Sequence, residues 1–369
     1  MTAFSISGIR VRLDGSWFIA FFFFAWTLSE GYFPLQAPNY RPLTYWIFGT
    51  ISALALFGSV LTHELSHCVV ARRLGVHVRQ VTLFIFGGVS EMDKSHPDTP
   101  AFEFKIAMAG PMSSLGLALL FGGLSALFGH RIGHIAAETL HYLIYVNVLL
   151  AVFNLIPGFP LDGGRILRSY LWHRSGSLGR ASRSAARTGS LVAACMIAVG
   201  LASLLTGGFV IGIWLAMIGL FLKKSAEAEY RSFMVRDVLE HVRVGEIMSP
   251  PVAVHKGMTI TELVNDYVFR YHDRVFPVLD RDRFIGMIDV RAFRKLKTDD
   301  WPNTFIDAYL ADESLYAVLD PDMQASGALR FLVEHPMSKA PVVRGETLLG
   351  VLTRVDLVEV IALKTDLAA

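Results

Sequence analysis

Between Tyr45 and Thr62 the chain carries no charged residue, and the apolar character resumes at Val69, Val70 and Ala71. At the end of the uncharged run stands Leu61-Thr62-His63-Glu64-Leu65-Ser66-His67-Cys68. A stretch of about 20 apolar residues crosses a bilayer as a helix, because hydrocarbon leaves every backbone polar group to be satisfied within the segment. On such a helix His63 and His67, four residues apart, leave the same face one turn apart, with Glu64 between them. In this H-E-x-x-H pattern two imidazoles hold zinc while the glutamate takes a proton from a bound water. A charged side chain near the bilayer centre costs about 2.5–3.5 kcal/mol on insertion scales. A solvated helix face is therefore excluded, and the competing reading is a satisfied polar pair between helices.

The hydrophobic share of 53% exceeds that of a soluble domain, yet the C-terminal third is charged, so two regions are expected. The net charge of +2 argues for neither a nucleic-acid binder nor an enzyme of acidic substrates. Cys68 and Cys195 are the two cysteines, which excludes a disulfide framework and zinc-finger spacing. Cys68 follows His67 directly, and consecutive helical residues point about 100° apart, so it reads as packing. The first apolar run begins after Ser16 without a small-residue cleavage site, so no cleavable signal peptide is expected.

Phe4 to Leu13 alternates apolar and polar residues and predicts one short strand at the membrane surface. Trp17 to Ser29 opens a first span running on toward Leu35, and Tyr45 to about Leu74 is the second. Val76 to Met92, with its alternating Val78, Val81, Leu83 and Ile85 and its Gly87-Gly88 pair, predicts a hairpin beside the metal motif. Ile106 to Phe128 is a third span, with a kink or a close neighbour at Gly110-Pro111. His141 to Leu155 is a fourth. Leu191 to Leu205 and Phe209 to Leu222 give two more, both short for a hydrocarbon core of about 30 Å. The arginines at 10, 12, 72, 73 and 79, those from 165 to 187, and Lys223 and Lys224 fall on one side, which the positive-inside rule makes the cytoplasm.

From Lys223 to Val242 the chain turns charged and helical, a linker leaving the membrane. Beyond it Pro277-Val278, Gly286 and Phe293 recur 64 residues later as Pro341-Val342, Gly350 and Leu357. Each copy reads as a helix, Pro-Val, a polar turn, a Gly-containing strand and a second helix, and two such modules should pack as a pseudo-twofold pair.

Two histidines leave catalytic zinc one ligand short of the usual three. Asp162, in Asn154-Leu155-Ile156-Pro157-Gly158-Phe159-Pro160-Leu161-Asp162-Gly163-Gly164, is the best candidate, because a broken helix at membrane depth is tolerated where protein or water lines it. Spacing alone leaves a turn or N-cap aspartate equally open. Asn147 and Asn154, two turns apart, share a helix side. A buried amide there could stabilise an oxyanion or tie helices together.

H-E-L-S-H in an early span, A-G-P in the next, and F-N-L-I-P-G-F-P-L-D-G-G-R closing the fourth resemble the site-2 protease family of intramembrane zinc metalloproteases, over Met1 to about Leu222. The resemblance implies that His63, His67 and Asp162 bind one Zn2+, that Glu64 is the general base, and that Asn154 positions substrate or stabilises the oxyanion. It gives Asn147 no role. The C-terminal repeat resembles tandem CBS domains, regulatory modules that bind adenosine nucleotides. There Thr353 and Asp356 match the residues that contact a ribose, while Asp289 and Ala292 in the first copy depart, so one ATP- or AMP-type site is expected. The plainer reading is that Thr353 and Asp356 cap the last helix.

The expected architecture is a polytopic α-helical membrane domain of about six transmembrane helices with a membrane-associated β-hairpin (1–222), a linker (223–243), and a cytoplasmic α/β CBS pair (244–300 and 301–369). The expected activity is cleavage of a single-pass membrane protein, such as an anti-sigma factor or membrane-tethered transcription regulator, regulated by an adenine nucleotide. No nucleic-acid partner is expected, and the CBS pair offers a route to a homodimer. The competing function is a CBS-regulated membrane transporter or channel with a metal site, which gives no reason for Glu64 between two histidines. A third reading is an inactive scaffold, which no motif favours.

Overall fold

The computed structural model describes residues 2–6, 8–85, 87–92 and 99–367 and divides into two units, Met1–Arg231 and Ser232–Ala369. In the first unit the expected single N-terminal strand is two, β1 (Thr2–Ile6) and β2 (Ile9–Leu13), because Gly8 at φ 79° turns the chain back into an antiparallel pair. Helix α1 (Gly15–Thr27) passes through a π-helical turn (Leu28–Tyr32) into α2 (Phe33–Gln36). Helix α3 (Pro42–Arg73) follows, with Arg72 and Arg73 in the last turn, where cations favour the helix dipole. Gly75 at φ 86° ends it: its N–H bonds Arg72 O at 3.0 Å and that of Val76 bonds Ala71 O at 3.0 Å, a Schellman closure.

The expected hairpin is present as β3 (Val78–Phe84) and β4 (Gly87–Met92); Phe86 between them lies outside the described residues. The sheet order is β1-β2-β3-β4, with β2 and β3 parallel in the register Val11 opposite Val81. On its buried face Ile9, Val78 and Val81 pack with Cys68 and Ala71 of α3, and Val11 is fully buried. Strand β4 is the edge that lies along α3.

Helix α4 (Pro100–Phe128) is capped by Thr99 and continues through Pro111, and α5 is His134–Asn154. Helix α6 (Asp162–Ser175) ends at Gly176 in the left-handed region. Helices α7 (Leu178–Leu205) and α8 (Phe209–Glu240) are longer than expected. In α7, Arg180, Arg183 and Arg187 occupy one exposed face while Ala181, Ser182, Ala185, Ala186 and Gly189 pack inward, so the helix starts 13 residues before the apolar run. Its 28 residues span about 42 Å, which removes the concern about length. Among the described residues six helical segments are long and apolar enough to cross a membrane: Gly15–Gln36, α3, α4, α5, α7 and α8.

In the second unit a short α9 (Val244–Ile247) and β5 (Val254–His255) precede a helical stretch, α10 (Ile260–Glu262) to α11 (Phe269–Tyr271) through a π-helical turn. Strands β6 (Val275–Asp280) and β7 (Arg283–Asp289) follow, then α12 (Ala325–Glu334), β8 (Lys339–Arg344), β9 (Thr347–Thr353) and α13 (Arg354–Leu367). The sheet order is β5-β6-β7-β9-β8. The repeat is visible in register: Val278 pairs with Gly286 as Val342 pairs with Gly350. The second helix expected in each copy exists only in the second. In the first, the chain makes a 3-10 turn at Val290–Phe293, where Phe293 and Leu296, three apart, both enter the core.

Candidate metal centre

Helix α3 delivers His63 and His67 one turn apart, and both are nearly inaccessible at 3% and 4%. Each ring is oriented by α4. His67 Nδ1 donates to Ile106 O at 2.6 Å, and His63 Nδ1 bonds Ser114 Oγ at 2.9 Å. A carbonyl only accepts, so His67 carries its proton on Nδ1 and turns the Nε2 lone pair inward. Both Nε2 atoms face one oxygen, Asp162 Oδ2, at 3.1 and 3.2 Å. Gly110 lies on the same stripe of α4 as Ile106 and Ser114, and a Cβ there would stand 2.2 Å from His67 Nε2 and 2.5 Å from His63 Nε2. The close neighbour expected at Gly110-Pro111 is therefore the pair of imidazoles.

Asp162 opens α6, 99 residues from His63, and the preceding loop is folded tightly enough to deliver it. A Cβ at Gly163 would meet Leu155 O at 2.3 Å and one at Gly164 would meet Gly158 C at 2.4 Å, so the loop folds back over the start of its own helix. Phe159 N donates to Ala185 O of α7 at 3.3 Å, and Gly189 of α7 leaves room for the Phe159 carbonyl.

The three donor atoms, two imidazole nitrogens and a carboxylate oxygen, lie within 4.8 Å of one another. Ligands held at about 2.0–2.1 Å by tetrahedral zinc stand about 3.3 Å apart, so the observed spacings, the inward lone pair of His67 and the space kept open by Gly110 fit that ion. Glu64 projects beside this cluster toward β4. Its Oε2 accepts from Ser90 Oγ at 2.9 Å, and a Cβ at Gly88 would stand 2.4 Å from its Cγ.

Asn154 is half-buried and donates to Leu150 O at 3.0 Å, one turn back along α5. Asn147 is fully buried and joins helices, donating to Ser59 Oγ at 3.0 Å one turn before His63. In the second unit Thr353 and Asp356 form a reciprocal cap. Asp356 Oδ2 accepts from Thr353 N and Thr353 Oγ1, both at 2.7 Å, and Asp356 N donates to Thr353 Oγ1 at 3.2 Å. Ser249 Oγ donates to Asp356 Oδ1 at 2.8 Å.

Sequence reasoning missed the groups that hold the histidines. Ile106, Gly110 and Ser114 recur every four residues on α4, a stripe that spacing alone could have flagged; Ser90 carried no signal of its own.

The sequence profile of peptidase family M50 matches residues 51–134 and 128–200, and that of the CBS domain matches 244–298 and 316–363. Over 364 residues the chain is 36% identical to Rip3 of Mycobacterium tuberculosis, a protein named as a zinc metalloprotease, covering 96% of this chain and 91% of that one. The chain belongs to peptidase family M50, the site-2 proteases. A second relative, named as a zinc metalloprotease of Synechocystis, is 31% identical over 362 residues, covering 96% of this chain and 93% of its own. A solved site-2 protease from Methanocaldococcus jannaschii is 31% identical, covers 62% of this chain and 94% of its own, and superposes with a TM-score of 0.44. As an M50 member the protein is a multi-pass membrane zinc metalloprotease with a tandem CBS module, which decides against the transporter and channel readings.

Proposed function

We propose that His63, His67 and Asp162 hold the zinc, that Glu64 is the general base, and that the protein cuts a peptide bond within or beside a transmembrane segment of a single-pass regulatory protein. Zinc, when bound, supplies a Lewis acid that lowers the pKa of water toward about 7 and polarises a carbonyl. The chain's own residues do the rest. Glu64 accepts the proton of the attacking water and returns it to the leaving amine. Ser90 holds the Glu64 carboxylate by the bond at 2.9 Å. Asn154, on the last turn of α5, orients the substrate once its amide leaves the Leu150 carbonyl.

The observation that carries this reading is the contact of Glu64 with the edge strand β4. Peptide bonds in a helix are shielded, so a transmembrane substrate must unwind, and an extended segment adds readily to a free strand edge. Docked on β4, that segment lies beside the base. The basic residues flanking the spans favour a plasma-membrane protein with its N-terminus and CBS pair in the cytoplasm. Residues 1–222 then form the protease domain, with 244–300 and 301–369 as the CBS domains. An anti-sigma factor or membrane-tethered transcription regulator is the class of substrate such an enzyme would release.

An adenine nucleotide at Thr353 and Asp356 would regulate the enzyme, and a homodimer would form through the CBS pair. The Asp356 carboxylate already takes three donors, about three of its four lone-pair directions, so a ribose must take the remaining one or displace Ser249. Calorimetry should detect ATP or AMP binding to the whole protein and lose it in Asp356→Ala; heat unchanged by the substitution refutes the site.

The deciding experiment for the chemistry pairs zinc content with cleavage of a single-span substrate in detergent. Wild type and Glu64→Gln should both hold one zinc per chain, with cleavage lost only in the variant. Cleavage surviving Glu64→Gln would overturn the assignment of the base.

A further inference from the structure

A second buried charge pair stands outside the metal cluster. Glu103 is in the first turn of α4, and Arg168 is on the second turn of α6; Arg168 Nε donates to Glu103 Oε1 at 2.6 Å and a terminal guanidinium nitrogen reaches the same oxygen. The side chains are 7% and 14% exposed. The guanidinium also lies over the Phe159 ring, 5.0 Å from its centroid. One residue on, Ser169 Oγ donates to Pro100 O at 2.6 Å. Two successive residues of α6 thus grip the first turn of α4.

Stability is a weak reason to keep such a pair, because desolvating two charges offsets most of their attraction. Position is a stronger one: a guanidinium is a planar, permanently charged fork that fixes the group it grips. Helix α4 carries Ile106 and Ser114, which orient the two histidines, and Glu103 one turn before Ile106. Helix α6 carries Asp162 at its start and Arg168 six residues on, about 9 Å along the axis. The clamp therefore sets the height of α6 against the helix that fixes the imidazoles. Phe159, three residues before Asp162, is pinned from the other side by Ala185 and Gly189 of α7 and covered by the same guanidinium.

We propose that Glu103 and Arg168 are positioning residues for the third metal ligand, acting through α6 and Phe159 to hold Asp162 Oδ2 against both histidine Nε2 atoms. This rests on the assignment of His63, His67 and Asp162 as ligands, and the test separates the two. The full-length protein in detergent is loaded with Co2+, whose visible absorption reports ligand geometry without turnover, and its zinc affinity is measured by chelator competition. Asp162→Ala examines the ligand assignment: wild-type affinity and spectrum there would refute the assignment itself. With that established, Arg168→Met and Glu103→Gln should lower zinc affinity about 10- to 100-fold, as loss of outer partners of a metal ligand does, and alter the cobalt bands. Arg168→Lys, which keeps the charge but loses the fork, should lose less than Arg168→Met. If Arg168→Met does not fold, Arg168→Lys and Glu103→Gln decide. Variants that lose only thermal stability while keeping wild-type affinity and spectrum would show a packing role and overturn the proposal.

Discussion

Replacing Gly110 by alanine would place a methyl carbon 2.2 Å from His67 Nε2, 2.5 Å from His63 Nε2 and 2.6 Å from His67 Cε1. Contacts between non-bonded heavy atoms settle at about 3.5–4.0 Å, so something must yield by roughly 1 Å. Moving α4 outward stretches the bonds from Ile106 and Ser114 that orient the rings; turning a ring about 30° off its rotamer costs about 0.5–1.5 kcal/mol. Overpacking of this kind costs about 1–3 kcal/mol in all, and the better helix propensity of alanine returns up to about 1 kcal/mol. Folding should therefore survive. The site should not, since a misplacement of about 1 Å costs on the order of 100-fold in rate. Gly116, on the same helix with nothing within 4 Å of an added Cβ, supplies the control. Zinc per chain, cleavage of a single-span substrate and unfolding temperature should be measured for both. Gly110→Ala should lose zinc and about 100-fold in cleavage with little change in unfolding temperature, while Gly116→Ala matches wild type. Full zinc and near-normal cleavage in Gly110→Ala would refute the close approach.

Proline placed in turn at positions of β4 removes backbone donors from the edge, so cleavage should fall at one or more positions while zinc content stays at wild type; unchanged cleavage across the series would sink strand addition. In the second unit, burial raises the Asp273 carboxyl, but the hydrogen bond and charge of Lys339, with the Arg274 and Val275 backbone N–H groups, outweigh it and hold the carboxyl below its ordinary value. A depressed carboxyl stabilises the fold above the unfolded value of about 3.9, and that contribution fades as pH falls through the folded value. Amide protection of β6 and β8 in the whole protein should drop below about pH 4 in wild type more steeply than in Asp273→Asn; parallel pH profiles would disprove the link. Thr353→Val should loosen the start of α13 by about 1 kcal/mol, the usual worth of a cap, read as lost amide protection there and absent if the cap contributes nothing.

The six spans were legible because each contains an apolar run that no soluble helix tolerates, and His63, Glu64 and His67 because one helical turn brings them together. Asp162 was not legible in the same sense. Its partner is 99 residues away, and proximity across that distance comes from the glycines that fold the loop onto α6 and α7, which spacing cannot express. Helix α7 was read short because its buried stripe is alanine, serine and glycine, residues that pack closely without a hydrophobic signature. The N-terminal strand was read as one element because alternation is blind to a turn at Gly8. Its pairing with β3 was beyond reach, since register across two spans leaves no local mark.

That pairing constrains how the molecule is built. Parallel neighbours require the chain to depart and come back to the same end, and between β2 and β3 the journey is made by α1, α2 and α3, out across the membrane and home again. The two strands must therefore lie on one side, whichever side that is. Strand β2 is made before either helix, yet it can find its place beside Val81 only after α3 has returned. Completion of the sheet is thus a check on insertion: a chain whose second span fails to thread leaves β2 waiting on the membrane surface, and no sheet closes around an incorrectly inserted enzyme.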